Sequence, residues 1–220
     1  MTEELLQKLI KQYRVPVHIQ KHMQKVAAVA LYVGQKLQQA GEKVDMIAVR
    51  QAALLHDIMK LCDFKNLDFE HFEQDVSAED IQFWTALMKS CSHIGHVEAA
   101  YNVLMEIGEE QLATIVRKHR FAGLIDKRDK PGTWEEKLVY YADKRVQHDK
   151  IVSITQRLKE GRERWFPDGK IPADDHLVEK ALYKLEEEIC SKAGVKPEGI
   201  TEKSVETFLE KNQPATGSIA

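Results

Sequence analysis

The chain has nine histidines, and four of them fall in phase with apolar residues at helical spacing. Two aspartates share such positions, which gives a set of six: His22, His56, Asp57, His96, His119 and Asp143. Imidazole and carboxylate groups on inward faces are costly to bury unless they are paired or bound to a cation. This combination suits iron, manganese, cobalt, nickel or zinc. The six residues therefore predict a site for divalent transition metal.

A structural interpretation competes with this one for each residue alone. A single histidine on an apolar face is more often a core side chain that hydrogen-bonds the backbone, and an adjacent His-Asp pair such as His56-Asp57 is common by chance. It is much less common by chance that five predicted helices each place a histidine or an aspartate on the inward face. The pattern across helices therefore favours the metal site.

The sequence around these six residues predicts a succession of helices that would position them. Only six prolines occur, none between Pro16 and Pro131, and aromatics make up 7%, which disfavours an all-β sandwich or barrel. Apolar periodicity and capping residues predict the helices 2–13, 17–40, 46–60, 78–90, 93–107, 109–119, 134–148 (continuing or kinking into 150–161), 174–193 and 201–211. No segment resembles a convincing strand. The sequence predicts a single-domain, all-α helical bundle.

The helix predicted at 46–60 is apolar almost all round, which is typical of a helix at the centre of a fold. It carries His56 and Asp57 in its last turn. The tail from Asn212 to Ala220 has nothing to bury and is expected to be disordered.

The order of the six residues resembles the H…HD…H…H…D pattern of the HD superfamily of metal-dependent phosphohydrolases. The segment LLHDIMK is similar to that family's LLHDIGK, with Met59 in place of glycine. HVEAAYNVLMEIG followed by IVRKH is similar to its HxxxGAxxLxxxG…IVxxH, with Ala100 in place of glycine, and EEKLVYYADK is similar to the helix that bears the last aspartate. The resemblance covers about residues 15–150.

The resemblance implies a helical bundle that holds one or two divalent metals, and we expect this HD-type domain to extend over residues 1–195, with 196–220 as a C-terminal appendage. It implies that His22, His56, Asp57 and Asp143 hold a first divalent metal, and that Asp57 bridges to a second held by His96 and His119. His93, three residues before His96, is an alternative ligand for the second metal. Asp57 and Lys60 are the expected catalytic residues. Five basic residues near the ligands could bind substrate phosphates: Lys60, Lys118, Arg120, Lys144 and Arg145.

The function expected from this resemblance is hydrolysis of a phosphoester or phosphoanhydride bond in a nucleotide or related small molecule, with a metal-activated hydroxide as nucleophile. Two alternatives remain. The same ligand set occurs in di-iron oxygenases, and a non-catalytic nucleotide-sensing domain would bind without turnover.

Charge and composition restrict the partners. A net charge of −3 gives no basic excess for nucleic acid, so the expected partner is a small anionic phosphate compound. No run of eighteen apolar residues and no leader-like segment occurs, so no membrane association is expected. Three scattered cysteines are expected to be reduced thiols, as in a cytoplasmic protein. The helix at 174–193 could cap the bundle or form a dimer seam, so both a monomer and a homodimer remain possible.

Overall fold

Ten α-helices form the structure, a computed structural model that describes residues 1–210 apart from the side chains of His71 and Glu210. The helices are α1 (Glu3–Gln12), α2 (Val17–Gln39), α3 (Met46–Ala53), α4 (Ala78–Cys91), α5 (Gly95–Glu106), α6 (Glu110–Arg117), α7 (Trp134–Lys144), α8 (Ile154–Trp165), α9 (Ala173–Ala193) and α10 (Glu202–Glu210). Two-residue strands β1 (Val146–Gln147) and β2 (Lys150–Ile151) form the one sheet among the described residues. The all-α prediction is confirmed. The tail predicted to be disordered lies outside the described residues.

Helix α2 lies at the centre of the fold, in contact with α3, α7, α9 and α10. The run Ala27–Ala30 is fully buried on every side, which only a central helix allows. Gly34 leaves room for the Met46 side chain, because a Cβ at that position would meet the Met46 sulfur at 2.8 Å. Small residues on α2 thus allow neighbouring helices, among them α7 with Asp143, to pack against it.

Helix α3 ends earlier than the sequence predicts. It begins at its cap Asp45, whose side chain accepts from the backbone N–H groups of Ile47 and Ala48, and it ends at Ala53 instead of residue 60. His56 supplies the physical reason, since its Nδ1 hydrogen-bonds the Ala53 carbonyl that a continuing helix would use for residue 57. Buried turns follow, and then a 3-10 helix over Lys60–Asp63. His56 and Asp57 therefore lie on tight turns and not on a helix.

A short hairpin interrupts the predicted continuation of α7 into α8. Helix α7 ends at Lys144, and β1 pairs antiparallel with β2 in the register Val146↔Ile151. His148 forms the turn with φ of 54°, a left-handed conformation that ends any helix. Ser153 then begins α8 as its N-cap. The prediction of a continuous or kinked helix was wrong at this point.

The described residues of the segment predicted as a C-terminal appendage, 196–210, pack onto the bundle. Helix α10 contacts α2, and Ile200 and Val205 are buried in the main hydrophobic core. Glu202 also pairs with Lys25 of α2 and accepts from the backbone N–H of Ile151. These contacts join α10 to the helix at the centre of the fold.

The expectation of three reduced thiols was wrong for two of them. The structure joins Cys62 to Cys91 by a disulfide, which ties the 3-10 helix that follows His56-Asp57 to the end of α4. Cys190 is a free thiol buried beside Tyr141. Within residues 1–210, no helix has the length and apolar character needed to cross a bilayer.

Candidate metal centre

Four histidines converge on one point, and each is oriented by a hydrogen bond at Nδ1. The Nδ1 atoms of His22, His56 and His119 lie 2.7, 2.8 and 2.5 Å from the carbonyl oxygens of His148, Ala53 and Val116 respectively. A carbonyl only accepts, so Nδ1 carries a proton, and in the neutral form of each ring Nε2 is left with the lone pair that a metal would use. Metal-binding histidines are oriented by such bonds to their other ring nitrogen.

Asp57 lies at the middle of the cluster, and its two carboxylate oxygens face different histidines. Oδ2 is 3.8 Å from His22 Nε2 and 3.6 Å from His56 Nε2. Oδ1 is 3.2 Å from His96 Nε2 and 3.6 Å from His119 Nε2. A carboxylate with one oxygen directed to each side is arranged to bridge two cations.

The second aspartate completes one side of the cluster. Asp143 Oδ1 is 3.2 Å from His22 Nε2 and 3.6 Å from His56 Nε2. The ligand atoms form two groups, His22–His56–Asp143 and Asp57–His96–His119, and within each group all of them lie within 4.8 Å of one another. The structure therefore brings together all six residues that the sequence singles out.

The sequence reasoning missed Asp63, which orients His96. One Asp63 oxygen accepts from the His96 backbone N–H at 2.9 Å, and the other binds His96 Nδ1. Burial raises the pKa of the Asp63 carboxyl, but the bonds to His96 outweigh it and hold that pKa low. No sequence signal marks this role, because Asp63 lies in an acidic segment that reads as a loop, 33 residues before its partner.

We expect Asp63→Ala to weaken binding at the Asp57–His96–His119 group by about 10- to 100-fold, because His96 loses the partner that orients it. Binding at the His22–His56–Asp143 group should change little. Calorimetric titration of the metal-free protein with Mn²⁺ would measure both affinities. Asp75→Ala, in the same segment and exposed, is the control. Unchanged affinity of both sites in Asp63→Ala would contradict the orienting role.

The electrostatics prepare the cluster for a cation. Burial raises the pKa of Asp57, but Lys60 and the neighbouring histidines hold it well below the usual range. Burial likewise opposes ionisation of Asp143, and Lys144 with the nearby histidines outweighs it and lowers that pKa. Burial lowers the pKa of His119 to about 4. At neutral pH the carboxylates are thus anionic and His119 is neutral, which are the states that bind metal.

Two further observations fit a metal at this position. His56 Nε2 is buried and has no hydrogen-bond partner among the described residues. His96 Nε2 and His119 Nε2 lie 3.1 Å apart, and in their neutral rings with Nδ1 protonated each would present a lone pair. A cation in the Asp57–His96–His119 group would satisfy these two nitrogens, and a cation in the His22–His56–Asp143 group would satisfy His56 Nε2. This donor set of imidazoles and carboxylates without thiolate suits the first-row transition metals.

Two of the five predicted basic residues touch the cluster. Lys60 Nζ lies 3.4 Å from Asp57 Oδ1 and 3.5 Å from His96 Nε2, and its side chain is 35% exposed. Lys144 is buried, and its ammonium binds Asp143 and, at 3.1 Å, the His119 carbonyl. Lys60 is thus accessible to a substrate, whereas the buried ammonium of Lys144 neutralises the charge of the Asp143 carboxylate.

The other three predicted basic residues form hydrogen bonds or ion pairs with groups of the protein itself. Lys118 donates to Glu136 at 2.8 Å. Arg120 pairs with Asp126 and Asp129 at the surface. Arg145 is buried, and its guanidinium donates to the Tyr141 hydroxyl, Glu186 and the carbonyls of Val152 and Pro197. No free guanidinium therefore remains at Arg145 for a phosphate, and the five residues do not form one basic rim.

The other histidines whose side chains the structure describes lie outside the two groups. His93, the alternative ligand, is exposed. His148 and His176 are exposed as well, and His18 packs against Phe72. The side chain of His71 lies outside the description.

Comparison with models of protein families identifies a match over most of the chain. The family model described as HD domain matches residues 19–147, more than half of the 220 residues. The match spans all six residues of the metal cluster. Searches of curated proteins and of solved structures found no match.

Proposed function

The chain belongs to the HD domain family, and from this we propose that it is a metal-dependent hydrolase of phosphoester or phosphoanhydride bonds. The observation that carries the proposal is the division of the Asp57 carboxylate between two ligand groups. Divalent cations bound to both groups would supply a deprotonated water as nucleophile and would offset charge on the phosphoryl oxygens.

The protein's own residues have distinct tasks in this proposal. Asp57 holds the two ligand groups at a fixed separation, and the bonds at Nδ1 keep the imidazoles aimed inward. Lys60 faces the cluster from its more open side, where its ammonium would bind a phosphoryl oxygen of the substrate. Lys144 would keep Asp143 ionised after the substrate's negative charge arrives. We propose a nucleotide or related small molecule as the substrate.

An assay with defined metals tests this function. The purified protein is stripped with a chelator, reloaded separately with Mn²⁺, Fe²⁺, Co²⁺ or Zn²⁺, and incubated with generic phosphoesters and a panel of nucleoside phosphates. We expect phosphate or nucleotide release with at least one metal and none from the stripped protein. Anaerobic turnover with Mn²⁺ or Zn²⁺ would also exclude the oxygenase alternative. Ligand binding without turnover by any loaded form would contradict the hydrolase and support the sensing alternative.

A further inference from the structure

A groove of about 640 Å³ opens beside the metal centre. Its walls come from the 3-10 helix Lys60–Asp63 and the residues after it, the end of α4, and the end of α8. The lining residues that matter here are Asp63, Lys65, Lys89 and Trp165. The Cys62–Cys91 disulfide joins the first two walls.

The groove is adjacent to the metal ligands. Asp63 lines it and also binds His96 through both carboxylate oxygens. Lys60, three residues before Asp63, is the more exposed of the two lysines that touch the cluster. Asp63 therefore belongs both to the groove and to the immediate surroundings of the metal ligand His96.

Trp165 gives the groove an aromatic surface. It is the last residue of α8 and is 62% exposed, although burying a tryptophan side chain contributes strongly to a core. The Arg164 guanidinium carbon lies 5.8 Å from the centroid of the Trp165 ring. Much of the indole surface remains exposed to solvent beside it. Indole faces bind nucleobases by stacking, a contact that every base can make.

The charges of the groove favour an anion. Lys65 and Lys89 are exposed, and neither has an ion-pair partner within residues 1–210. Asp63 is the one carboxylate in the lining, and His96 already occupies it. The groove therefore presents two free ammonium groups beside an open indole face.

We propose that this groove binds the base of a nucleoside phosphate, which stacks on Trp165 while Lys65 and Lys89 attract its phosphates toward the metal centre. The proposal rests on the proposed hydrolase function and specifies its substrate class. A nucleoside phosphate supplies both features that the groove matches, an aromatic ring and a chain of anionic oxygens. Trp165 lies beyond the part of the chain that the family model matches, so base recognition would be a property of this chain and not of the shared domain.

Equilibrium binding of ADP and of inorganic pyrophosphate to the chelator-treated protein tests the groove without any turnover. We expect the wild type to bind ADP about tenfold more tightly than pyrophosphate, because stacking contributes on this scale. Trp165→Ala should lose that preference and leave pyrophosphate binding unchanged, whereas Trp165→Phe should keep most of it. Ile47→Ala, which truncates another exposed apolar residue away from the groove, should match the wild type.

Binding and hydrolysis can fail separately. Three results would each contradict base binding in the groove. The wild type and Trp165→Ala could have equal affinity for ADP, the wild type could fail to bind ADP, or the wild type could show no preference for ADP over pyrophosphate. Loss of the ADP preference in Trp165→Ala would support the groove even if no metal-loaded form hydrolysed any phosphoester, in which case the hydrolase proposal alone would fail. If Trp165→Ala hydrolysed ADP with an unchanged KM, the hydrolase proposal would be supported and base binding in the groove would be contradicted.

Discussion

Asp57→Ala is expected to lower phosphohydrolase activity by at least about a thousandfold, because it removes the one carboxylate that faces both ligand groups. Each group would retain two or three ligands, so some metal would bind, but the two cations would lose their common ligand. Metal content and kcat measured on the same preparation separate a loss of metal from a loss of correct geometry.

Two variants sharpen this experiment. Asp57→Asn keeps the volume and one oxygen, so we expect it to retain one metal and still lose most activity. Asp168→Ala removes an exposed carboxylate in the loop after α8 and should leave activity unchanged. Circular dichroism would show that all three variants are folded. An Asp57→Ala protein with wild-type kcat would refute the bridging role.

Lys144→Met is expected to lower the free energy of unfolding by about 3–5 kcal/mol in the chelator-treated protein, because it leaves Asp143 buried without its cationic partner. Saturating Mn²⁺ should reduce this cost, since a bound cation would replace the ammonium beside the Asp143 carboxylate. Urea unfolding with chelator and with Mn²⁺ measures both values.

An exposed ion pair provides the control for this prediction. Lys192 pairs with Glu42 at 3.2 Å, with 59% of the lysine side chain exposed. Lys192→Met should therefore cost less than about 1 kcal/mol in either condition. The structural role of Lys144 would be contradicted if the two variants lost equal stability in the metal-free protein.

The sequence predicts the helices well because apolar periodicity and caps are local. The boundaries fail where a tertiary contact decides them. The predicted helix at 46–60 ends at Ala53 because the His56 side chain uses that residue's carbonyl. The helix predicted to continue past residue 148 gives way to a hairpin whose turn directs the His148 carbonyl to His22. Both errors lie at the metal centre, where the positions of the ligands override helix propensity.

The six candidate ligands could be named from the sequence because they have apolar neighbours and because their order resembles the HD pattern. Their partners could not be named in this way. Asp63 binds His96 across 33 residues, and no periodicity connects them. Arg145 follows a ligand-bearing segment, but its neighbours Glu186 and Pro197 come from elements far along the chain. Sequence spacing identifies which face a side chain occupies, but only the packed structure shows what it meets there.

The presence of a metal ion in each of the two ligand groups is the claim on which the rest depends. It is tested most directly by crystals grown with Mn²⁺, with anomalous scattering recorded and the bound manganese counted by mass spectrometry of the same protein. We expect two anomalous peaks on either side of Asp57, one among His22, His56 and Asp143 and the other between His96 and His119. The absence of any peak between His56 and Asp143 after soaking in Mn²⁺ would contradict the account.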